Sequence, residues 1–426
     1  MRKPGFVFIA LFLSASLQAE DAALPDLLSL SDALQLSRQD VPLVLQARAA
    51  QELAEAQLLS AQSESAATLG ATVKLQAIEP SRLSINNDPN NSYAALALRK
   101  RLYDFGYTSA LETSAKLGQD ASKWTYKIAL QQQHLAVMRA FYDVILSDLE
   151  YARDNEAMST GFIRADRARD RNELGQLSDV TLLELQAVYQ ETRRKRFASE
   201  RRQRLTRSQL AINMGRPNDL ASDLVMPQIV LPEKKEADFE LFWQQVLNSS
   251  PVLLAIKSEL LAAQEQLVAA RASNGPVLSA ELDAAAYNRL TGSTHPLSAG
   301  LVFSLPVFDG GKKNAAITSA RANKYSVEAK LAQAQLNLRQ EALSLWLQRE
   351  DVRTQIEELT VLADFRDLYL DRSRAYYELE LKTDLGDAMA QTSAVRLRMA
   401  TSLFEWKLIE AKMQAMTGQL LAEEQK

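Results

Sequence analysis

Proline is absent between Pro89 and Pro217 and again after Pro306. Glycine is nearly as scarce: between Gly106 and Gly175 only Gly118 and Gly161 intervene, and Lys312–Leu385 contains neither residue type. Pro and Gly are the main breakers of helix interiors. The residues that fill these stretches, Ala, Leu, Gln, Glu, Arg and Lys, are good helix formers. The chain is therefore expected to run in helices of about 65 residues, each roughly 100 Å long at the α-helical rise, against an average of about 11 residues. A compact core cannot enclose such helices, so they have to pack side by side as coiled coils. The apolar spacing agrees. Val137, Ala140, Phe141, Val144, Ile145 and Leu149 recur three and four apart, and Leu331–Leu347 carries a broad apolar seam beside Gln, Arg and Glu. Such stripes are packing faces rather than ligand boxes.

The second feature is duplication. Arg101-Leu-Tyr-Asp-Phe-Gly106 recurs as Pro306-Val-Phe-Asp-Gly-Gly311, so that Asp104 maps to Asp309 with an offset of 205. Glu173-Leu174 followed by Ser178-Asp179 recurs as Glu378-Leu379 followed by Thr383-Asp384 at the same offset. Val41-Pro42 corresponds to Ser250-Pro251, and Met214-Gly215 and Thr417-Gly418 close the two copies. The expected organisation is a first repeat over 20–215, a linker over 216–240, a second repeat over 241–420 and a short tail over 421–426. The linker carries Pro217, Pro227 and Pro232 among acidic residues and reads as ordered but not helical.

Each repeat also holds two candidate strands before its long helix: Ala71–Ala77 and Tyr93–Tyr103 in the first, Val277–Tyr287 and Leu297–Phe308 in the second. Their imperfect alternation suits strands with lipid on one side and water on the other, and about ten residues suffice for a tilted strand to cross a membrane. Such strands tolerate no unpaired edge in lipid. One chain offers four, whereas the smallest membrane barrels have about eight. The chain is thus expected to close a barrel only with copies of itself, as a dimer or a larger ring.

The ends and composition narrow the function classes. Arg2 and Lys3, the apolar run Phe6–Leu13 and small residues up to Ala19 form the pattern of a secretory signal peptide over residues 1–19. No later stretch is apolar and long enough to span a membrane as a helix. The chain has no cysteine, which suits an oxidising compartment and excludes a lipid-anchored mature terminus. The formal net charge of −4 argues against a nucleic-acid surface, and the basic runs Arg193–Arg196 and Arg201–Arg207 read as a solvated helix face. An enzyme is not expected. The two histidines, His134 and His295, are far apart, and no phosphate loop, nucleophile elbow or metal-ligand spacing is present. No cofactor and no metal is expected.

The order helix, strand, loop, strand, Asp-x-Gly, long helix, hairpin tip and return helix, repeated twice, resembles the TolC-type outer-membrane efflux proteins. The motifs that carry the likeness are Leu102-Tyr-Asp-Phe-Gly106 and Leu305-Pro-Val-Phe-Asp-Gly-Gly311, with the tips Leu174-Gly-Gln-Leu-Ser-Asp179 and Leu379-Glu-Leu-Lys-Thr-Asp384. The resemblance implies a mainly α fold with transmembrane β structure: long helical hairpins forming an α-barrel, and four strands per chain in a shared twelve-stranded barrel of a homotrimer. It implies the outer membrane of a Gram-negative bacterium, with a large periplasmic part, and a passive exit duct for efflux or type I secretion. The implied partners are sister subunits, a periplasmic adaptor protein, an inner-membrane pump of RND, ABC or MFS type, and outer-membrane lipid. It further implies adaptor contact at the tips Gly175, Gln176, Leu177, Ser178, Glu380, Leu381, Lys382 and Thr383, Glu380 standing where the family has a glycine. Asp384 and Asp387, three residues apart and so on one helix face, match an acidic ring that narrows the tunnel entrance and favours cations. The other reading is that both solvate a helix start. Asp104, Gly106, Asp309 and Gly311 are read as structural, marking the change from strand to helix. The alternative architecture is a periplasmic adaptor, which has one long hairpin between split β-rich halves, where this chain has two.

Overall fold

The computed structural model describes residues 25–37, 41–81, 84–232, 238–379 and 385–421. The expected signal peptide lies outside the described residues, as do Glu380, Leu381, Lys382 and Thr383 of the second tip and Asp384. In chain order the elements are β1 (Leu27–Leu28), α1 (Leu30–Leu36), α2 (Pro42–Ser63), β2 (Thr68–Lys74), β3 (Tyr93–Tyr103), α3 (Tyr107–Glu173), α4 (Asp179–Asn213), β4 (Asp223–Leu224), α5 (Phe239–Ser249), α6 (Pro251–Ala272), β5 (Val277–Tyr287), β6 (Leu297–Ser304), α7 (Lys312–Glu378) and α8 (Leu385–Met416).

The helices α3 and α7 are each 67 residues long, close to the length their composition predicts. Both begin after a glycine in the left-handed region, Gly106 at φ 92° and Gly311 at φ 91°, and both start and end 205 residues apart, the offset of the sequence repeat. Two strands differ from expectation. β2 lies three residues earlier than expected, because β3 begins at Tyr93 and antiparallel pairing sets Lys74 opposite it. β6 ends at Ser304 rather than Phe308, since Pro306 offers no N–H to a ladder. The linker holds one short strand: β4 pairs in parallel with β1 and ties the middle of the chain to its beginning.

Three tiers stack along the long axis, each four elements wide. At one end the sheet runs β2-β3-β5-β6, antiparallel throughout. Beneath it α2 packs on α3, α3 on α6 and α6 on α7. In the far half α4 packs on α3, α3 on α8 and α8 on α7. Two apolar clusters hold the girdle between the helical tiers. One joins Leu28 to Val137, Phe141, Val144 and Phe404, and the other joins Trp243 and Val246 to Leu345, Val352, Trp406 and Ile409. Within the first, Tyr142 stacks on Phe404 with ring centroids 4.4 Å apart. His134 is buried on α3 beside this girdle.

Candidate functional site

The sheet has two chemically different faces, which its register makes explicit. Residues directly opposite one another share a face, and the period is two. One face carries Leu69 and Val73, Leu96 and Leu98, Leu278 and Leu282, and Leu297, Leu301 and Phe303. The other carries Thr68, Thr72 and Lys74, Arg99 and Arg101, Ser279, Glu281 and Asp283, and Ser298. On this polar face Arg99 pairs with Glu281 at 3.6 Å. Lys100 falls on the apolar face at the helical end of β3, where a long side chain can carry its charge out of the apolar band.

A register shift between Arg101 and Tyr103 sets Tyr103 opposite Leu278, while Arg101 stands opposite Ser279. The extra residue of such a bulge exchanges faces, so Tyr103 joins the apolar side, in edge contact with Phe105 at 4.7 Å. Sequence alternation alone would have placed Tyr103 with Arg101; only the bulge moves it. At the other end of the sheet the two connecting loops are tied together. Arg289 Nε donates to the Asn86 carbonyl at 3.0 Å, and its guanidinium also reaches the Ser84 hydroxyl.

At the strand-to-helix change, glycine occupies the N-cap position and the aspartate two residues earlier supplies the acceptor. Asp104 accepts from the Thr108 amide at 3.0 Å and from its hydroxyl, with Arg101 alongside. Asp309 accepts from the amides of Lys313 at 2.9 Å and Gly311 at 2.8 Å, and from the Asn274 side chain. Burial alone would raise the Asp104 carboxyl, but the hydrogen bonds from Thr108 and the charge of Arg101 outweigh it and hold the group below the ordinary carboxylate range. The amides of Lys313 and Gly311 lower Asp309 in the same sense. A depressed folded-state pKa contributes stability that is present above the unfolded value and is lost as pH falls through the folded one. Asp104→Ala is thus expected to cost about 0.5–2 kcal/mol, as for other cap losses. Thermal unfolding should show this loss at neutral pH and should show the difference shrink once the pH falls well below 4, the usual Asp range.

The far end of the hairpins gathers the remaining candidates. The α3–α4 turn uses Gly175 at φ 69°, with the Gln176 amide donating to Arg171 O at 2.8 Å. Asn172 Nδ2 bridges to Leu177 O and to Asp179 Oδ1, each at 2.9 Å. The Ser178 hydroxyl accepts from Thr181 N and starts α4. Gln176, Leu177 and Ser178 are thereby presented on a pinned turn. Asp387 lies in the first turn of α8 and does not stand alone: Arg164 of α3 makes a direct ion pair with it, each side chain 47% exposed. One residue away Gly386 packs on Thr160 so closely that an added Cβ would lie 2.6 Å from the Thr160 hydroxyl. Arg164, Thr160 and Gly386 were missed in the sequence. The one available signal was that Gly386 is the only glycine of α8 and adjoins the candidate acid. Among the described residues no cluster of three or more His, Asp or Glu could hold a metal ion.

A model of the family described as "Outer membrane efflux protein" matches residues 242–419. The matched segment lies in the second half of the chain. The chain shares 28% identity over 262 residues with Protein CyaE of Bordetella pertussis, a match covering 58% of this chain and 53% of the relative. The match thus spans about half the length of that relative. Among solved structures, the Campylobacter jejuni CmeC outer membrane channel superposes with a TM-score of 0.76 at 13% identity, covering 92% of this chain and 86% of that one. A membrane protein from Pseudomonas aeruginosa superposes with a TM-score of 0.74 at 18% identity, covering 97% and 96%. The shared fold spans nearly the whole described chain. At these identities the likeness is one of fold.

Proposed function

We propose that each chain is one wall segment of a self-assembled exit duct, through which substrates pass from the periplasmic side to the exterior without chemistry. The observation that carries this reading is the four-stranded sheet, apolar on one face and polar on the other, whose outer strands β2 and β6 each leave one edge unpaired within the sheet. In lipid an open edge costs several kcal/mol per unpaired backbone group. The edge of β6 is therefore expected to pair with β2 of a second copy. The apolar face meets lipid, and Arg99, Glu281 and Asp283 face a water-filled lumen. The likeness to TolC-type ducts favours three copies and twelve strands. In this reading the repeats at 20–215 and 241–420 supply equal halves of each segment, and the 216–240 linker belongs to a girdle around the helical tunnel.

The entrance lies at the helical tips. Asp387, with Asp384 beside it in sequence, would form an acidic ring when repeated around the axis, and such rings favour cations. The ion pair with Arg164 partly neutralises this ring, so the arginine sets the strength of the field. The pinned turn Gly175–Ser178 and the second tip Glu380–Thr383 are the surfaces for a periplasmic adaptor, behind which an inner-membrane pump supplies energy. The match to CyaE supports a secretion duct as readily as a small-molecule one.

Purified protein should form oligomers that dissociate only on heating and should give ion-conducting channels in planar bilayers. A water-soluble monomer without conductance would overturn the duct. In the same bilayers Arg164→Ala should raise cation preference and Asp384→Ala with Asp387→Ala should lower it. Identical reversal potentials in all three would remove these residues from the entrance.

A further inference from the structure

In the periplasmic tier the row α4-α3-α8-α7 leaves α4 and α7 as its outer members, and the two outer faces carry opposite charge. Arg193–Arg207 holds eight cationic residues and one acid, whereas Glu350–Asp371 on α7 holds seven acids and two arginines. Part of this charge lies where a neighbour would meet it. The side of α4 that faces α3 is set by Arg196, which bonds Tyr151, by Gln203, which bonds Asp148, and by buried Ser199. At the helical angle of about 100° per residue, Arg194, Phe197, Arg201 and Arg204 fall on the opposite side, three and four apart. The side of α7 that packs on α8 is set by buried Val352, Ile356 and Leu359. Glu357, Asp364 and exposed Val361 and Leu368 fall opposite, whereas Glu358 lies on the flank and reaches Arg398 of α8.

The heights agree as well. Gln203 of α4 is level with Asp148 of α3. On α3, Tyr142 is level with Phe404 of α8 and Glu156 with Ser393, so Asp148 is level with the stretch of α8 near Arg398. Arg398 in turn meets Glu358 of α7. A rotation about an axis along the duct changes no heights. It therefore brings Arg201 and Arg204 of one copy to the level of Glu357 and Asp364 of the next.

We propose that the periplasmic seam between neighbouring subunits is a charge-complementary docking surface, the basic outer face of α4 received by the acidic outer face of α7 in a second copy of this chain. The proposal rests on the duct reading and adds what that reading leaves open, the chemistry by which the helical walls recognise one another. Exposed apolar residues along both stripes supply contact area, while the opposite charges steer encounter and register. The arrangement also disfavours pairing two α4 faces or two α7 faces, because each would oppose like charges.

The test is reassembly of heat-dissociated full-length protein in detergent, followed by native gel at low and high salt. The Debye length is about 30 Å at 0.01 M salt and about 3 Å at 1 M, so wild-type assembly should slow at high salt. Arg201→Glu with Arg204→Glu, or Glu357→Arg with Asp364→Arg, should each slow low-salt assembly by about tenfold or more, and all four together should restore it. As a second measurement, the chain contains no cysteine. Arg201→Cys with Glu357→Cys should therefore yield a ladder of linked subunits with a bifunctional maleimide of about 10 Å reach, compatible with helices packed 8–10 Å apart. Wild-type protein that never assembles would sink the duct itself. Wild-type oligomers whose rate is unaffected by salt or by the reversals, or cysteine variants that give no ladder, would overturn the seam and leave the duct standing.

Discussion

Leu301→Arg is expected to remove most of the protein from the outer membrane, at a cost of about 2–4 kcal/mol per chain for a lipid-facing arginine near the bilayer midplane. Leu301 lies in the middle of β6, opposite Ala280, on the face that also carries Leu69, Leu98 and Leu282. Three residues away Ser298 stands opposite Asp283 on the polar face. Ser298→Arg should therefore insert normally and change only the ion preference of the channel. The pair tests parity rather than hydrophobicity, because the same side chain is introduced into the same strand. Quantitative membrane fractionation with bilayer recordings would read it. Equal membrane yields for the two variants would mean that the faces are assigned wrongly and that the sheet is not a lipid-embedded wall.

The second large effect is expected at the entrance. Gly386→Ala would place a methyl group 2.6 Å from the Thr160 hydroxyl and 3.0 Å from its Cγ2. Overpacking of this kind typically costs about 1–3 kcal/mol, which corresponds to roughly a 5–150-fold shift between two conformations. The strain falls on the contact between α3 and α8, next to the Arg164–Asp387 ion pair. That pair is half exposed, so by itself it contributes little, and steric fit dominates. Single-channel conductance or open probability should rise in Gly386→Ala. Thr160→Ala in the same chain removes the two nearer atoms and should restore the closed behaviour. A Gly386→Ala channel identical to wild type would show that the helices part here without resistance and that this contact has no part in gating.

The reach of sequence reasoning differed between levels for a physical reason. Helix length is a local property: where neither Pro nor Gly interrupts good helix formers, every residue votes the same way. The 67-residue spans of α3 and α7 follow from composition to within a few residues. The four strands of the larger sheet were legible in number while the short β1 and β4 were not, and β2 and β6 were misplaced at their ends, because pairing register and Pro306 decide where a ladder stops. The bulge that carries Tyr103 to the apolar face was invisible, since it depends on how β3 and β5 fit together. The entrance shows the same limit. Asp387 could be singled out by its place after a hairpin tip, but its partner Arg164 lies 223 residues away in sequence. No periodicity links the two; only the packing of α8 on α3 does.

By itself, then, the sequence determined that this chain is built of two like halves with very long helices and four short amphipathic strands. These are consequences of local propensity and of an internal repeat. The tertiary structure alone decided which elements lie side by side, which residues of the sheet share a face and which charges meet across helices. Those relations depend on contacts between residues far apart in the chain, and a linear pattern does not encode the distance between them.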